Sequence, residues 1–326
     1  MTRARSSVPL RFGAGLGAIG VAALTVTGCG FESRKQRAQL LVHAARELER
    51  SRTGQGVLVL SVRTEKSSQG FNSVAGGRRG ISAPPVVLQL DFVRRRALAQ
   101  GTAGQQVTSV TSVTPGRPTG AAVPGAGRPG AAMPSAVFLG PVVFLQRPGA
   151  AEGSDSQFGV RAWSKLDFAK VGKKDSNTLG EIGVVNPINP TYLLQLLAGT
   201  LSGSVRRLGT ETVNGSATTH YEMSVDRAKA FARLGDRDRQ AVDKAFKSDD
   251  VKGSVYKHAE VWIDAGGLPR RFVLRLHQEI DSDNVFGVTY TLELTSLGTP
   301  VEIRPPGSDA TAEVTSLNAL LSSARS

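Results

Sequence analysis

The most regular stretch of the chain is Asn284–Leu297, where apolar and polar positions alternate almost without a break. Phe286, Val288, Tyr290, Leu292 and Leu294 fall on one face, and Thr289, Thr291, Glu293 and Thr295 on the other, as in a strand buried on one side. Gly203–Val213 and Ala217–Asp226 flank Asn214-Gly215, the strongest short hairpin signal, and the second run carries Tyr221 and Met223. Lys257–Asp264, with Val261 and Ile263, joins Leu268–Ile280 through Ala265-Gly266-Gly267. Nearer the start, Gly56–Arg63 and Val86–Arg94 are strand-like, and the latter alternates Leu88, Leu90 and Phe92 against Gln89 and Asp91. Ala136–Gln146 is apolar on both faces and broken at Gly140-Pro141, which predicts a bulge or a kink between two short strands. Arg161–Phe168 offers one more short strand, with Trp163.

Three stretches carry the helical period instead. Ser33–Arg50 places Leu40, Leu41, Ala44, Ala45 and Leu48 on one face, with Ser33 as N-cap and His43 on the polar flank. Asn189–Ala198 opens with Asn189 as cap and Pro190 in the first turn, and stripes Tyr192, Leu193, Leu196 and Leu197. Ala228–Lys247 is helical with an interruption at Gly235-Asp236. Roughly nine antiparallel strands with few helices define an α+β class. The natural packing is an antiparallel half-barrel wrapped over helices; the pattern alone fits a filled core and an apolar groove between sheet and helices equally. Glu65–Pro85 and Ala99–Pro134 hold too little apolar surface to offset the entropy of ordering, and read as disordered insertions into that one sheet.

Charge and composition then change the picture at the N-terminus. Arg3, Arg5 and Arg11 precede an apolar run, Phe12–Val26, too short to span a bilayer but suited to a signal peptide. Gly15-Leu16-Gly17-Ala18-Ile19-Gly20 inside it fits a dinucleotide fingerprint, yet a short basic segment precedes it instead of a strand, and the next acidic residue is Glu32. Val26-Thr27-Gly28-Cys29 resembles the lipobox of bacterial lipoproteins. That resemblance implies a signal peptide at 1–28, a diacylglyceryl group on Cys29 as the membrane partner, a tether at 29–32 and a single domain at 33–306. The tail at 307–326 has room for a short helix. The protein is expected outside the cell, anchored to the outer face of the cytoplasmic membrane.

The formal net charge is +13. On an exported protein this favours anionic lipid headgroups over nucleic acid, so no nucleic-acid partner is expected. Arg94-Arg95-Arg96 reads as a solvated strand end. The single cysteine excludes an internal disulfide and a thiolate metal cluster, and once acylated it is no nucleophile. His43, His220, His258 and His277 are dispersed, and no H-E-x-x-H, G-x-S-x-G or P-loop lies downstream of Cys29. Neither a cofactor, nor a metal, nor a catalytic residue is expected.

Three motifs carry a resemblance: the hairpin G-x-E-x-V-x-G-x-x-T-x-x-Y at Gly209–Tyr221, the turn V-W-I-D-x-x-G-L-P-R-R at Val261–Arg271, and the closing G-x-P-V-x-I-x-x-P at Gly298–Pro306. With these the region Asn186–Pro306 resembles the actinobacterial cell-envelope lipoproteins of the LolA/LppX type (the LppX/LprA/LprF/LprG-like family). The resemblance implies a half-barrel enclosing an apolar cavity, acyl chains of a lipid or glycolipid as ligand, a membrane transporter as a further partner, and a monomer. The candidates to line that groove are Leu88, Leu90, Phe92, Trp163, Tyr192, Leu193, Leu196, Leu197, Tyr221, Met223, Val261, Ile263, Phe286, Val288, Tyr290, Leu292 and Leu294. It carries over no catalytic residue, and the Ala99–Pro134 insertion departs from a compact version of the fold.

Two other readings compete. The lipid or lipoglycan carrier itself needs a continuous apolar cavity of ~1,000 Å³ or more, beyond a usual small-molecule pocket. A non-enzymatic sensor or interaction module would show a small cavity and an exposed patch instead. A hydrolase would have to use Asp281-Ser282-Asp283-Asn284, or His258 with Glu260, and the calcium-loop spacing is missing from the former.

Overall fold

A computed structural model describes residues 33–66, 80–82, 85–101, 135–147, 161–171, 189–245, 255–281, 284–316, 319–320 and 323. The chain enters through α1 (Arg34–Ser51), which starts where the sequence places its cap. Ser33 Oγ accepts from the Gln36 amide at 3.2 Å while Gln36 Oε1 accepts from the Ser33 amide at 2.8 Å, a reciprocal capping box.

The strands are β1 (Thr53–Lys66), β2 (Gly80–Ser82), β3 (Val86–Asp91), β4 (Arg96–Gly101), β5 (Ala136–Leu139), β6 (Val142–Gln146) and β7 (Trp163–Asp167). After them come β8 (Arg206–Val213), β9 (Ser216–Asp226), β10 (Val255–Asp264), β11 (Pro269–Asp281), β12 (Asn284–Leu297) and β13 (Thr311–Val314). They form one open 13-stranded sheet in the order β13-β7-β6-β5-β4-β3-β1-β12-β11-β10-β9-β8, with β2 pairing the distal part of β1. Every pairing is antiparallel except β13 on β7.

Turn chemistry fixes the hairpins. Asn214 (φ 48°) and Gly215 (φ 76°) take the left-handed conformation that a two-residue β8–β9 turn demands. Between β10 and β11, Asp264 Oδ1 accepts from the amides of Gly266 and Leu268 at 2.9 Å each. At Gly140-Pro141 the chain makes a full hairpin between β5 and β6, where the sequence predicts only a bulge or kink. The sheet also has more strands than the roughly nine the pattern predicts. Those added (β2, β4 and β13) run three to six residues, too short for an alternation to register. β2 lies within Glu65–Pro85, β4 reaches into Ala99–Pro134, and β13 within the tail.

One face of the sheet carries the main core, shared with α1 (Leu41, Leu48), with α2 (Thr191–Gln195) and with the 3₁₀ turn Leu196–Gly199 that continues it. α3 (Arg227–Phe231) adds Ala230 and Phe231, and α4 (Asp236–Ala245) adds Ala241 and Val242. Asn189, buried at the start of α2, donates to the carbonyls of Arg95 at 2.8 Å and Gly140 at 3.1 Å, and so pins the helix to two sheet turns. Its Oδ1 receives the Thr191 amide at 3.1 Å, although the helix begins one residue later than the pattern suggests.

On the opposite face the segment after β12 folds back over β5–β7, where Ile303 packs with Val137, Phe144 and Trp163. This explains why Ala136–Gln146 is apolar on both sides. β13 then continues from that cover, with the Trp163 amide donating to the Ala310 carbonyl at 2.9 Å.

Candidate functional site

The residues expected to line a groove are brought together, as packed core. Leu88, Leu90 and Phe92 of the β3 region, Tyr192, Leu193, Leu196 and Leu197 of the helical layer, and Tyr221 and Met223 of β9 belong to one buried cluster. Val261 and Ile263 of β10 and Tyr290, Leu292 and Leu294 of β12 complete it, none more than 9% exposed. Val288 is partly buried against its margin. Trp163 stands apart, on the other face with Ile303, because β7 presents it to the C-terminal segment. The Phe286 side chain and Cys29 lie outside the described residues. Two of the phenols in this layer are pushed above their ordinary range. Burial foremost, then the Asp238 carboxylate, raises the pKa of Tyr192, and its hydroxyl lacks a well-formed hydrogen bond. Burial, then Tyr256, raises that of Tyr290.

A cavity of about 190 Å³ opens on the helical side of the molecule. Val42, Ala45 and Leu48 of α1 form one wall, and Leu194, Ala198 and Ala230 the facing one. Phe92, alone among the groove candidates, reaches it. Its polar lining is strongly biased: Arg46, Arg95, Lys229 and Arg233 against the single carboxylate of Glu49. Arg95 enters because the β3–β4 turn takes a left-handed φ of 52° there. Its guanidinium meets Asp238 at 2.9 Å while its Nε is buried without a partner. The arginine triplet is therefore not a uniformly solvated end, since Arg96 also turns back to donate to the Ile303 carbonyl at 3.3 Å. Among the described residues, no carboxylate pairs with Arg46, Lys229 or Arg233.

Chemically the cavity offers apolar walls and a rim with an excess of cations, which suits an amphiphile with an anionic end. Its volume exceeds the ~150 Å³ that admits a benzene-sized molecule, and falls below the ~300–1,000 Å³ of a pocket for a drug-sized ligand. The sequence gives no sign of this site beyond the apolar stripe of α1. A rim arginine and a solvated one look alike until α3 is brought opposite.

A second polar constellation crosses β8–β11 on the face away from the main core. His220 Nδ1 lies 3.1 Å from Glu211 Oε1 and its Nε2 3.0 Å from Glu260 Oε2, and Arg275 also pairs with Glu260. Trp262 stacks on the imidazole with centroids 3.9 Å apart and planes 13° apart, and the Arg271 guanidinium lies 5.1 Å from the indole centre. Glu260 is thus engaged by His220 and Arg275, and the network reads as a cross-strand brace. The Asp281–Asn284 turn lies partly outside the described residues. Among the described residues no group of three or more His, Cys, Asp or Glu is placed to hold a metal, and no helix is long and apolar enough to cross a membrane.

No family model matches the chain, and no curated protein matches its sequence. Among solved structures it is similar to the Mycobacterium tuberculosis lipoprotein LppX, with 13% identity, 82% of this chain and 99% of that one covered, and a TM-score of 0.34. Similarity to LprF from Mycobacterium bovis has 12% identity, 83% and 97% coverage, and a TM-score of 0.35. The MucA/MucB complex of Pseudomonas aeruginosa aligns at 12% identity over 86% of this chain and 60% of that one, with a TM-score of 0.24. At these scores the functional reading rests on the chain's own geometry.

Proposed function

We propose that this protein is an exported lipoprotein, tethered through Cys29, that binds an acyl chain of an anionic lipid or glycolipid and carries or presents it in the cell envelope. The observation that supports this reading is the helical-side cavity, with Val42, Ala45, Leu48 and Leu194 inside and, at its rim, Arg46, Lys229 and Arg233, which have no carboxylate partner among the described residues. Apolar walls favour the first carbons of a chain at ~25 cal/mol per Å² buried, and charge-assisted bonds from the rim orient its anionic end. At about 190 Å³ the cavity takes one chain end and falls well short of the ~1,000 Å³ expected of a carrier. The same small volume favours a second reading, in which the bound amphiphile is a signal and the protein a non-enzymatic sensor.

The tether is tested by expression in a host that acylates lipoproteins. The wild-type chain is expected in the membrane fraction with a diacylglyceryl mass on Cys29, and Cys29→Ala in the soluble fraction. Equal membrane retention of both would remove the tether.

The pocket is tested by titrating oleate into Arg46→Glu/Arg233→Glu. Losing two charge-assisted contacts is expected to weaken binding about tenfold or more, with the unfolding midpoint preserved. Unchanged oleate affinity would exclude the cavity as the site, and mass spectrometry of co-purified lipid would then decide between carrier and sensor.

A further inference from the structure

From the arrangement around the start of α1 we infer a second surface, one that lies flat on an anionic bilayer: Lys35 and Arg34 of α1 together with Arg207 and Leu208 of β8. This inference rests on the tether reading, because that reading sets where the chain meets the membrane. Cys29 is four residues from Ser33, and four residues span at most about 14 Å. The first turn of α1 is held beside the β8 entry by two long contacts: Arg34 Nη1 donates to the Gly203 carbonyl and Arg37 Nη1 to the Val205 carbonyl, each at 3.4 Å. Whatever anchors the chain at residue 29 therefore brings both elements near the headgroups.

Three features of the patch fit a lipid surface. Lys35 and Arg207 are exposed, and among the described residues neither has a carboxylate partner. Arg206 already donates to Glu222 at 3.0 Å, so the local acid is satisfied within the protein. Leu208 is 44% exposed, one of three large apolar side chains so placed among the described residues. It is also the extra residue of a bulge. Arg207 pairs with Tyr221 and Gly209 with His220, which leaves Leu208 without a partner on β9, and β8 is a sheet edge. Bulges at edges re-aim a side chain, and here the re-aimed one is a leucine between basic neighbours. A diacylglyceryl group by itself anchors the chain stably, so the patch sets how the domain lies on the surface, at about fivefold in local affinity per cation on anionic lipid.

Val93 and Arg94 form the competing patch, with Val93 58% exposed. It sits past the far end of α1, where the Phe92 amide donates to the Arg52 carbonyl, and an 18-residue helix separates it from the tether by about 27 Å. Arg94 is also turned toward Asp91, at 3.8 Å.

The chain's only cysteine makes a direct experiment available, because an acylated Cys29 does not react with a thiol probe. Full-length acylated Leu208→Cys and Val93→Cys, each carrying a polarity-sensitive fluorophore, are reconstituted in phosphatidylcholine vesicles with and without phosphatidylglycerol, the acyl chains brominated as quenchers. The probe at 208 is expected to be quenched on phosphatidylglycerol vesicles, and the probe at 93 to stay unquenched. Quenching at 208 should fall to the phosphatidylcholine level in Lys35→Glu/Arg207→Glu and in about 1 M salt, where the Debye length is ~3 Å. Quenching at 93 in place of 208, or at neither position, overturns the proposal. A chain that stays soluble and labels at two thiols refutes the tether, and quenching of that free chain by added phosphatidylglycerol vesicles then decides the patch by itself.

Discussion

Phe272→Ala is expected to lower the free energy of unfolding by about 3–5 kcal/mol, the range for truncating a fully buried aromatic side chain. Phe272 is 0% exposed on β11, with Val261 opposite it on β10 and Leu292 opposite it on β12. All three belong to the main core, and strands paired on both sides hold the backbone in place. The void left by the ring therefore cannot collapse by strand movement, which puts the cost toward the upper part of the range. Urea unfolding followed by circular dichroism measures it, and a loss under 1 kcal/mol would mean that this layer is open, as a lined groove would be. Phe272→Leu, which keeps most of the volume, should recover more than half of the loss.

Gly199→Ala is the second large effect, and it arises from backbone contact. Gly199 ends the 3₁₀ turn after α2, and a Cβ placed on it would meet the Asp226 carbonyl oxygen at 2.2 Å, the Ala230 Cβ at 2.8 Å and the Ala230 amide nitrogen at 2.9 Å. Every one of these atoms belongs to the β9–α3 junction, or to its first methyl, so none can swing aside as the tip of a long side chain would. The turn and α3 must separate, which costs about 3 kcal/mol at the upper end of overpacking. Because Leu194, Ala198 and Ala230 line the cavity at this junction, the same substitution should reshape the proposed oleate site. A variant with wild-type stability would show that the junction yields freely. Gly203→Ala is the matched control, since nothing lies within 4 Å of its added Cβ.

The long elements could be read from the pattern because their periodicity repeats enough times to be unambiguous. β12 occupies Asn284–Leu297, the stretch with the cleanest alternation, and α1 and the Asn214-Gly215 hairpin fall where their caps and turn residues place them. The short strands were not legible. β13 is four residues long and gains its parallel register only from β7, over a hundred positions earlier in the chain. The role of the apolar positions was half legible. Alternation identifies Tyr290, Leu292 and Leu294 as inward, but only packing shows that Leu193, Leu196 and Leu197 fill the space they point into. The cationic rim was beyond reach for the same reason. Arg46, Arg95 and Arg233 are scattered in sequence and become one site only when α1, the β3–β4 turn and α3 meet.

The seam of the sheet sets the order in which the molecule is completed. β1 binds β12 from Gly54↔Leu297 to Lys66↔Val285, so the first strand of the sheet must wait for a partner more than two hundred residues away. A chain that emerges N-terminus first therefore presents β1 with its β12 side vacant until nearly all of the remainder has appeared. Loop closure over that distance precedes the reward from the pairing, which makes this a slow step. Until then the bare side of β1 is a template for wrong partners. In a protein built this way the pairing that joins the two halves of the sheet is made last.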